Sequence, residues 1–321
     1  MARVLVTRRI PGSILARLDA SFELDLHDSE EPIDGDQLLE RIQGAAGVLT
    51  MVSDRVDAAF LDAAGSELRV VANYAVGFDN IDLAAANERR VLVTNTPDVL
   101  SQATAELTMS IMLSLVRRVA EGDRILRSAT PWMWSPTWMI GTGLAGRTLG
   151  IVGLGRIGAE VARLATAFEM HVIYANRAGA REGAPYEAVS LEELLARADV
   201  VSLHCPLTPQ TSHLIGAAEL RSMKADAVLV NTSRGAVVDE DALVHALRER
   251  LIAGAALDVF EHEPSVHEGL LELENVVLTP HLGSGTADIR EAMGELCFEA
   301  LSAVLIDRRC PANALNPEAM A

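Results

Sequence analysis

Cysteine is scarce: 3 residues in a chain of 321. Cys205, Cys297 and Cys310 form an odd set with no metal-ligand spacing. They fit a reducing cytoplasm rather than a disulfide framework. Long apolar runs are missing as well. Candidates such as Leu107 to Val116 are too short and too polar to span a bilayer. The opening Met1-Ala2-Arg3-Val4-Leu5-Val6 reads as a strand and lacks the apolar core and cleavage site of a signal peptide. Positive charge is in deficit, with 27 Lys and Arg against 45 Asp and Glu, a formal net charge of −18. That balance argues against broad binding to nucleic acid or to an anionic membrane. The expectation is a cytoplasmic protein without either partner. If its ligands are anions, the site must gather positive charge against an acidic background.

Apolar residues make up 50% of the chain, ample for two cores, and the length allows one large or two ordinary domains. The first hundred residues alternate short β-branched runs with helical ones. Strands are expected at Arg3 to Thr7, Phe22 to Leu26, Gly47 to Met51, Leu68 to Tyr74 and Val91 to Thr94. Helices are expected at Ser13 to Leu18, Asp36 to Gln43, Ala58 to Ala64 and Ile81 to Glu88. Such alternation argues for a parallel sheet with helices on both faces. Thr94 to Asp98 is a turn-rich boundary. A single long helix, Ser101 to Arg127, is expected beyond it. An irregular stretch, Ala129 to Gly146, then carries Trp132, Trp134 and Trp138; it covers either a partner subunit or its own domain. The last helix, Ala287 to Leu305, is expected to return to the first lobe. The boundaries read as 1–98 plus 286–321 for one discontinuous domain and 99–285 for the other.

The stretch Thr148 to Arg177 carries the most chemistry. A short apolar strand runs into Gly153, Gly155 and Gly158 at G-x-G-x-x-G spacing, a helix opens on the loop, and a second strand follows. This is the first half of a dinucleotide-binding unit. Gly153 permits the sharp turn, Gly155 lets backbone approach a pyrophosphate, and Gly158 lets the helix pack close. The helix N-terminus offers N–H groups and a positive dipole end to phosphates. In open parallel sheets, ligands lie beyond the carboxyl ends of strands. Four places there stand out: Val76-Gly77, Arg234, Glu263 and His281.

Five segments then fall in a recognisable order. They are Asn73 to Asp82, the glycine loop, Asn231-Thr232-Ser233-Arg234-Gly235, Asp258 to Pro264, and Pro280-His281-Leu282-Gly283-Ser284. In this order and spacing the chain resembles the D-isomer-specific 2-hydroxyacid dehydrogenases over nearly its whole length. Gly47 to Met51 and Asp54 to Asp57 look most like the glyoxylate/hydroxypyruvate reductase branch. The resemblance implies an α/β fold of two doubly wound parallel-sheet domains, a Rossmann-type coenzyme domain and a flavodoxin-like substrate domain, with a cleft between. It implies a homodimer built mainly through the coenzyme lobes. It assigns Arg234 to the substrate carboxylate and carbonyl, His281 to proton transfer and Glu263 to orienting His281. Val76 and Gly77 would offer N–H groups to the carboxylate, with Ser284 beside the substrate. Arg156 and Ile157 would lie over the pyrophosphate. Pro206 and Thr232 would lie near the nicotinamide half, with Asp258 near its carboxamide and His281 and Gly283 also touching the cofactor.

The chemistry stands without the family. Reducing a 2-keto acid needs a hydride donor, a proton donor and an anchor for the carboxylate. Arginine suits the anchor because its planar fork donates two parallel hydrogen bonds. Among the 8 histidines, His281 follows a strand and Pro280; His204, which ends another strand, is its rival. A carboxylate neighbour favours a protonated imidazole. Glu263 is expected to supply it, while Glu261 is expected to be solvated and dispensable.

At the end of the second strand of an NAD-preferring unit, about twenty residues past the glycines, stands an acid that binds the ribose 2′-OH. Here that place holds Asn176, followed by Arg177 and, a turn later, Arg181. The repelling carboxylate is absent and two cations are near, so NADP(H) is expected over NAD(H). Alternatives remain: a phosphoglycerate, phosphite or formate dehydrogenase, or a dinucleotide-sensing corepressor-like binding protein. The end at Ala321 leaves no expected room for an appended regulatory domain.

Overall fold

A computed structural model of the chain describes residues 1–320. It divides into two compact units, one of Met1–Leu100 with Gly285–Ala321 and one of Ser101–Ser284.

The first unit alternates β1 (Arg3–Val6), α1 (Gly12–Ser21), β2 (Glu23–Leu26), α2 (Gly35–Arg41), β3 (Gly47–Thr50), α3 (Ala58–Ala64), β4 (Val70–Asn73), α4 (Leu83–Glu88) and β5 (Leu92–Thr94). All strands pair in parallel, in the order β2-β1-β3-β4-β5. This is the flavodoxin-like winding. Residues of β3, β4 and β5 are buried without alternation, as a sheet covered on both faces requires. Leu5, Val48, Val71 and Val93 face Phe60, Leu61 and Ala85 on one side.

The second unit runs α5 (Ser101–Val116), α6 (Val119–Arg127), β6 (Thr148–Val152), α7 (Arg156–Ala167), β7 (His171–Ala175), β8 (Glu187–Ala188), α8 (Leu191–Arg197), β9 (Val200–Leu203), α9 (Ala217–Ser222), β10 (Val228–Asn231), α10 (Glu240–Arg248), β11 (Gly254–Leu257), α11 (Glu268–Leu271) and β12 (Val276–Leu278). Its parallel sheet has the order β12-β11-β10-β9-β6-β7-β8. The winding reverses beside β6, and the glycine loop leaves β6 at that point. Val201, Leu203, Leu229 and Leu257 pack toward α8 and α10. Ile151, Val200, Val230 and Ala256 pack toward α5 and α7. The chain then returns to the first unit as α12 (Ala287–Leu305), which packs on α1, β3 and β4. A Cβ on Gly47 would lie 2.8 Å from Leu301 of this helix, so β3 and α12 approach closely only because that position is glycine.

One expectation needs correction. The helix expected over Ser101 to Arg127 is broken. Arg118 takes the left-handed conformation at φ 54°, and its guanidinium grips Glu121 through bonds of 2.7 and 2.6 Å. None of the described residues of α6 is buried, so no core contact forces it to continue the α5 axis. The short elements β8, α8, α9 and α11 carry too few apolar repeats to be read from the sequence. In the irregular arm, Trp132 stacks on Trp138 with centroids 6.0 Å apart, and Trp134 is 76% exposed. No helix among the described residues is long and apolar enough to cross a membrane.

The edge of β5 is closed by the segment after α12. Leu315 N–H donates to Val93 O at 2.8 Å. The buried Asn316 amide accepts from Val93 N–H at 2.7 Å and donates to Val91 O at 3.0 Å. An unpaired strand edge is thereby covered. Asn316→Ala would leave both backbone groups buried and unsatisfied. Urea unfolding is expected to show a loss of about 1–3 kcal/mol.

Candidate active site

The glycine loop is built for close approach. Gly153 has φ 97°, and a Cβ there would lie 2.8 Å from Cys205 N. A Cβ on Gly158 would lie 2.3 Å from Gly153 O, so the first turn of α7 can sit on the loop only without a side chain. Gly155 is different: nothing lies within 4 Å of where its Cβ would be. That space is open to a ligand, and α7 begins there with no side-chain cap. The N–H groups of its first turn, at Arg156, Ile157 and Gly158, therefore face a site suited to an anion. Asn176 accepts from Leu154 N–H at 2.7 Å. Arg181 Nη1 donates to Leu154 O at 3.2 Å and Gly155 O at 3.3 Å. The fold thus draws Asn176 and Arg181 onto the loop, while Arg177 lies exposed in the turn after β7. These groups fit a dinucleotide.

His204 follows β9 beside this loop. Its Nε2 pairs with Ser202 Oγ at 2.8 Å, and burial pushes the imidazole down to about 3. A ring that stays neutral and enclosed is a poor proton donor, which removes the rival. Burial likewise raises the Cys205 thiol to about 11.

Arg234, Glu263 and His281 all lie past the carboxyl ends of neighbouring strands, β10, β11 and β12. Asn231 brackets the Arg234 turn. It accepts from Ser233 N–H at 3.0 Å and Ser233 Oγ at 2.8 Å, and donates to Arg234 O at 2.8 Å. Glu263 Oε2 meets His281 Nδ1 at 2.8 Å, and its Oε1 accepts from Phe260 N–H at 3.0 Å. Burial alone would raise the Glu263 carboxyl. The hydrogen bond and charge of His281, the Phe260 N–H and the charge of Arg234 more than offset it, so the group is held below the usual carboxylate range. The carboxylate is thus ionised, and it occupies Nδ1, leaving Nε2 as the nitrogen able to exchange a proton with a substrate. The Glu263–Pro264 bond is cis.

The resemblance places Asp258 only near the carboxamide, but its contacts also make it the group that holds His281. His281 is left-handed, at φ 52°, which costs a non-glycine residue roughly 1–3 kcal/mol. The buried Asp258 compensates. Its Oδ1 accepts from Leu282 N–H at 2.7 Å and Thr279 Oγ1 at 2.6 Å, and its Oδ2 from Gly283 N–H at 2.9 Å. Its backbone carbonyl takes His281 N–H at 2.8 Å. Gly283 O is fixed from the other side by Thr104 Oγ1 at 3.1 Å, and Thr232 pairs with Thr108 at 2.8 Å. Ser284 follows, partly buried, and Pro206 O accepts from Thr211 at 2.6 Å. Nor is Glu261 solvated as expected: its side chain is 19% exposed and pairs with His213 at 2.6 Å.

In the first unit, Val76 O and Gly77 O accept from the amides of Asn95 and Asn73 at 2.8 and 2.9 Å. The Val76 carbonyl fixes the peptide plane that carries Gly77 N–H, and Thr96 N–H, donating to Ala75 O at 2.9 Å, fixes the plane that carries Val76 N–H. These two N–H groups make no hydrogen bond among the described residues.

A glycine loop at the reversal point of a doubly wound sheet, with an ionised carboxylate, an imidazole and an arginine past the adjoining strands, defines a dinucleotide-dependent oxidoreductase. The family model for the NAD-binding domain of the D-isomer-specific 2-hydroxyacid dehydrogenases matches residues 109–283. The glyoxylate reductase of Thermococcus litoralis is 44% identical over 99% of this chain and 98% of its own. The structure of the TT0316 protein from Thermus thermophilus superposes with a TM-score of 0.92 at 47% identity, covering 98% of this chain and 99% of that one. An NADPH-dependent glyoxylate/hydroxypyruvate reductase from Sinorhizobium meliloti, solved with NADP and malonate, gives 0.87 at 32% identity over 99% and 97%. The chain belongs to the D-isomer-specific 2-hydroxyacid dehydrogenases.

Asp258→Asn keeps the shape but sets an amide NH2 against one of the N–H donors of the His281 turn. A loss of about 1–3 kcal/mol in holding that turn is expected. It should appear as a lower kcat with little change in KM for the dinucleotide. A KM effect alone would instead return Asp258 to the carboxamide contact.

Proposed function

We propose that this enzyme reduces a small 2-keto acid, glyoxylate or hydroxypyruvate, to the D-2-hydroxy acid, with NADPH preferred over NADH. The observation carrying this reading is the contact between Glu263 and His281, with the charge of Arg234 acting on the same carboxylate. The bound dinucleotide supplies the hydride. Arg234 anchors the substrate carboxylate and polarises the carbonyl as negative charge develops on its oxygen. His281 donates a proton from Nε2 to that oxygen, and Glu263 steadies the imidazolium from Nδ1. The family resemblance assigns the N–H groups of Val76 and Gly77 to carboxylate recognition and Ser284 to the substrate. On this reading the first unit is the substrate lobe, the second is the coenzyme lobe, and the exposed tryptophan arm meets a second copy in a cytoplasmic homodimer.

Following loss of reduced-nicotinamide absorbance with glyoxylate, hydroxypyruvate, pyruvate and phosphohydroxypyruvate tests the substrate class directly. Turnover of phosphohydroxypyruvate alone would replace it. Keto-acid reduction, which needs protonated His281, is expected to fall as pH rises, and hydroxy-acid oxidation, which needs the neutral ring, to rise. Glu263→Gln removes the anion beside the ring and should move the falling limb to lower pH. A flat reduction profile between about pH 6 and 9, with chemistry limiting, would take His281 out of this role.

The coenzyme preference rests on Asn176 in place of an acid and on Arg177 and Arg181 near it. Arg177→Ala is expected to raise KM for NADPH about tenfold, the lower end of a charge-assisted hydrogen bond, and to leave KM for NADH unchanged. Equal weakening of both coenzymes would contradict the assignment.

A further inference from the structure

Glu240 is a buried carboxylate, 5% exposed, at the start of α10. Helix capping does not explain it, because Asp239 Oδ1 already accepts from Ala242 N–H at 2.9 Å. Instead Glu240 Oε1 reaches out of the helix and accepts from Glu261 N–H at 2.9 Å. The Glu261 carboxylate returns toward Glu240 N–H at 3.5 Å and pairs with His213 Nε2 at 2.6 Å. His213 N–H is in turn bonded to Ala236 O at 2.8 Å. These bonds join two stretches that are already in backbone contact. A Cβ on Gly235 would lie 1.8 Å from the carbonyl carbon of Phe260. Gly235 follows Arg234, and Phe260 N–H donates to Glu263. The Arg234 turn and the Glu263 loop are therefore clasped together from behind.

We propose that Glu240, Glu261 and His213 are positioning residues whose brace sets the Glu263 carboxylate in register with Arg234 and His281. The inference rests on the proton-donor role of His281 given above. A buried carboxylate is costly unless its hydrogen bonds are satisfied. Burial pushes the Glu240 carboxyl up, the Glu261 N–H pulls it back, and the charge of Glu261 adds to the rise. His213 offsets that charge: the Glu261 hydrogen bond raises its imidazole above the ordinary histidine range, favouring the cation. Asp239 adds to that rise, while the charges of His262 and His267 pull the Glu240 carboxyl down. Among the described residues no hydrogen bond joins the brace to His281, whose carboxylate partner is Glu263, so its effect passes through Glu263.

The test compares Glu240→Ala, Glu240→Gln, Glu261→Ala and Glu263→Gln in glyoxylate reduction with NADPH across the pH range, with Tm recorded for each. Glu240→Ala is expected to lower kcat about tenfold, equivalent to about 1.4 kcal/mol, with KM for NADPH unchanged. Its falling limb should move toward that of Glu263→Gln. Glu240→Gln keeps an oxygen that accepts the Glu261 N–H and should restore most of the rate and the limb. If Glu240→Ala does not fold, Glu261→Ala is read by the same two criteria. A lower kcat with the limb unmoved would mark the brace as merely structural and overturn the proposal, as would wild-type behaviour in both alanine variants. If Glu263→Gln itself leaves the limb in place, the His281–Glu263 reading has failed first, and the brace falls with it.

Discussion

The His281 imidazole sits on a turn that only a buried carboxylate makes tenable. His281 adopts a backbone conformation that residues other than glycine disfavour, and Asp258 is a carboxyl taken out of water, pushed up by burial and pulled back by its hydrogen bonds. Each would be unfavourable alone. Together they resolve one another: the turn presents a ring of N–H donors, and the carboxylate is the acceptor that satisfies them. Glu263 then acts on an imidazole whose backbone is already fixed, and its charge is held by the ring, an N–H and a guanidinium. Geometry and electrostatics are supplied by two different acids from the segment after one strand.

That division explains how an acidic chain recognises anions. The chain carries a net charge of −18, while the second unit gathers arginine and uncapped N–H groups at the carboxyl edge of its sheet. A parallel sheet makes this possible because every strand delivers its following loop to the same edge. β6 delivers the glycine loop, β10 the arginine, β11 the two carboxylates and β12 the histidine.

Those strand ends were also the legible part. Short β-branched runs bounded by turns marked most of the strands, and polar residues just beyond them marked Arg234, Glu263 and His281. Glycine spacing marked the nucleotide loop. What escaped was whatever depends on partners distant in the chain. Nothing local distinguishes Asp258 as the holder of a turn more than twenty residues later, or Glu261 as the partner of His213. The break at Arg118 was hidden because the residues on either side have ordinary helical propensity, and only the lack of burial beyond it shows why the axis need not continue. The short helices after β8 and β9 carry one or two buried residues each, too few to make a period.

The first unit is assembled from both ends of the sequence. Its five strands emerge early during synthesis, but α12 and the segment that seals β5 come only after the whole second unit has been made. On the ribosome, the nascent first sheet must therefore wait with β3 and β4 uncovered by α12 and one edge open. The second unit, continuous in sequence, can complete its own core in the meantime. Chaperone dependence should thus fall on the half of the molecule that is translated first and finished last.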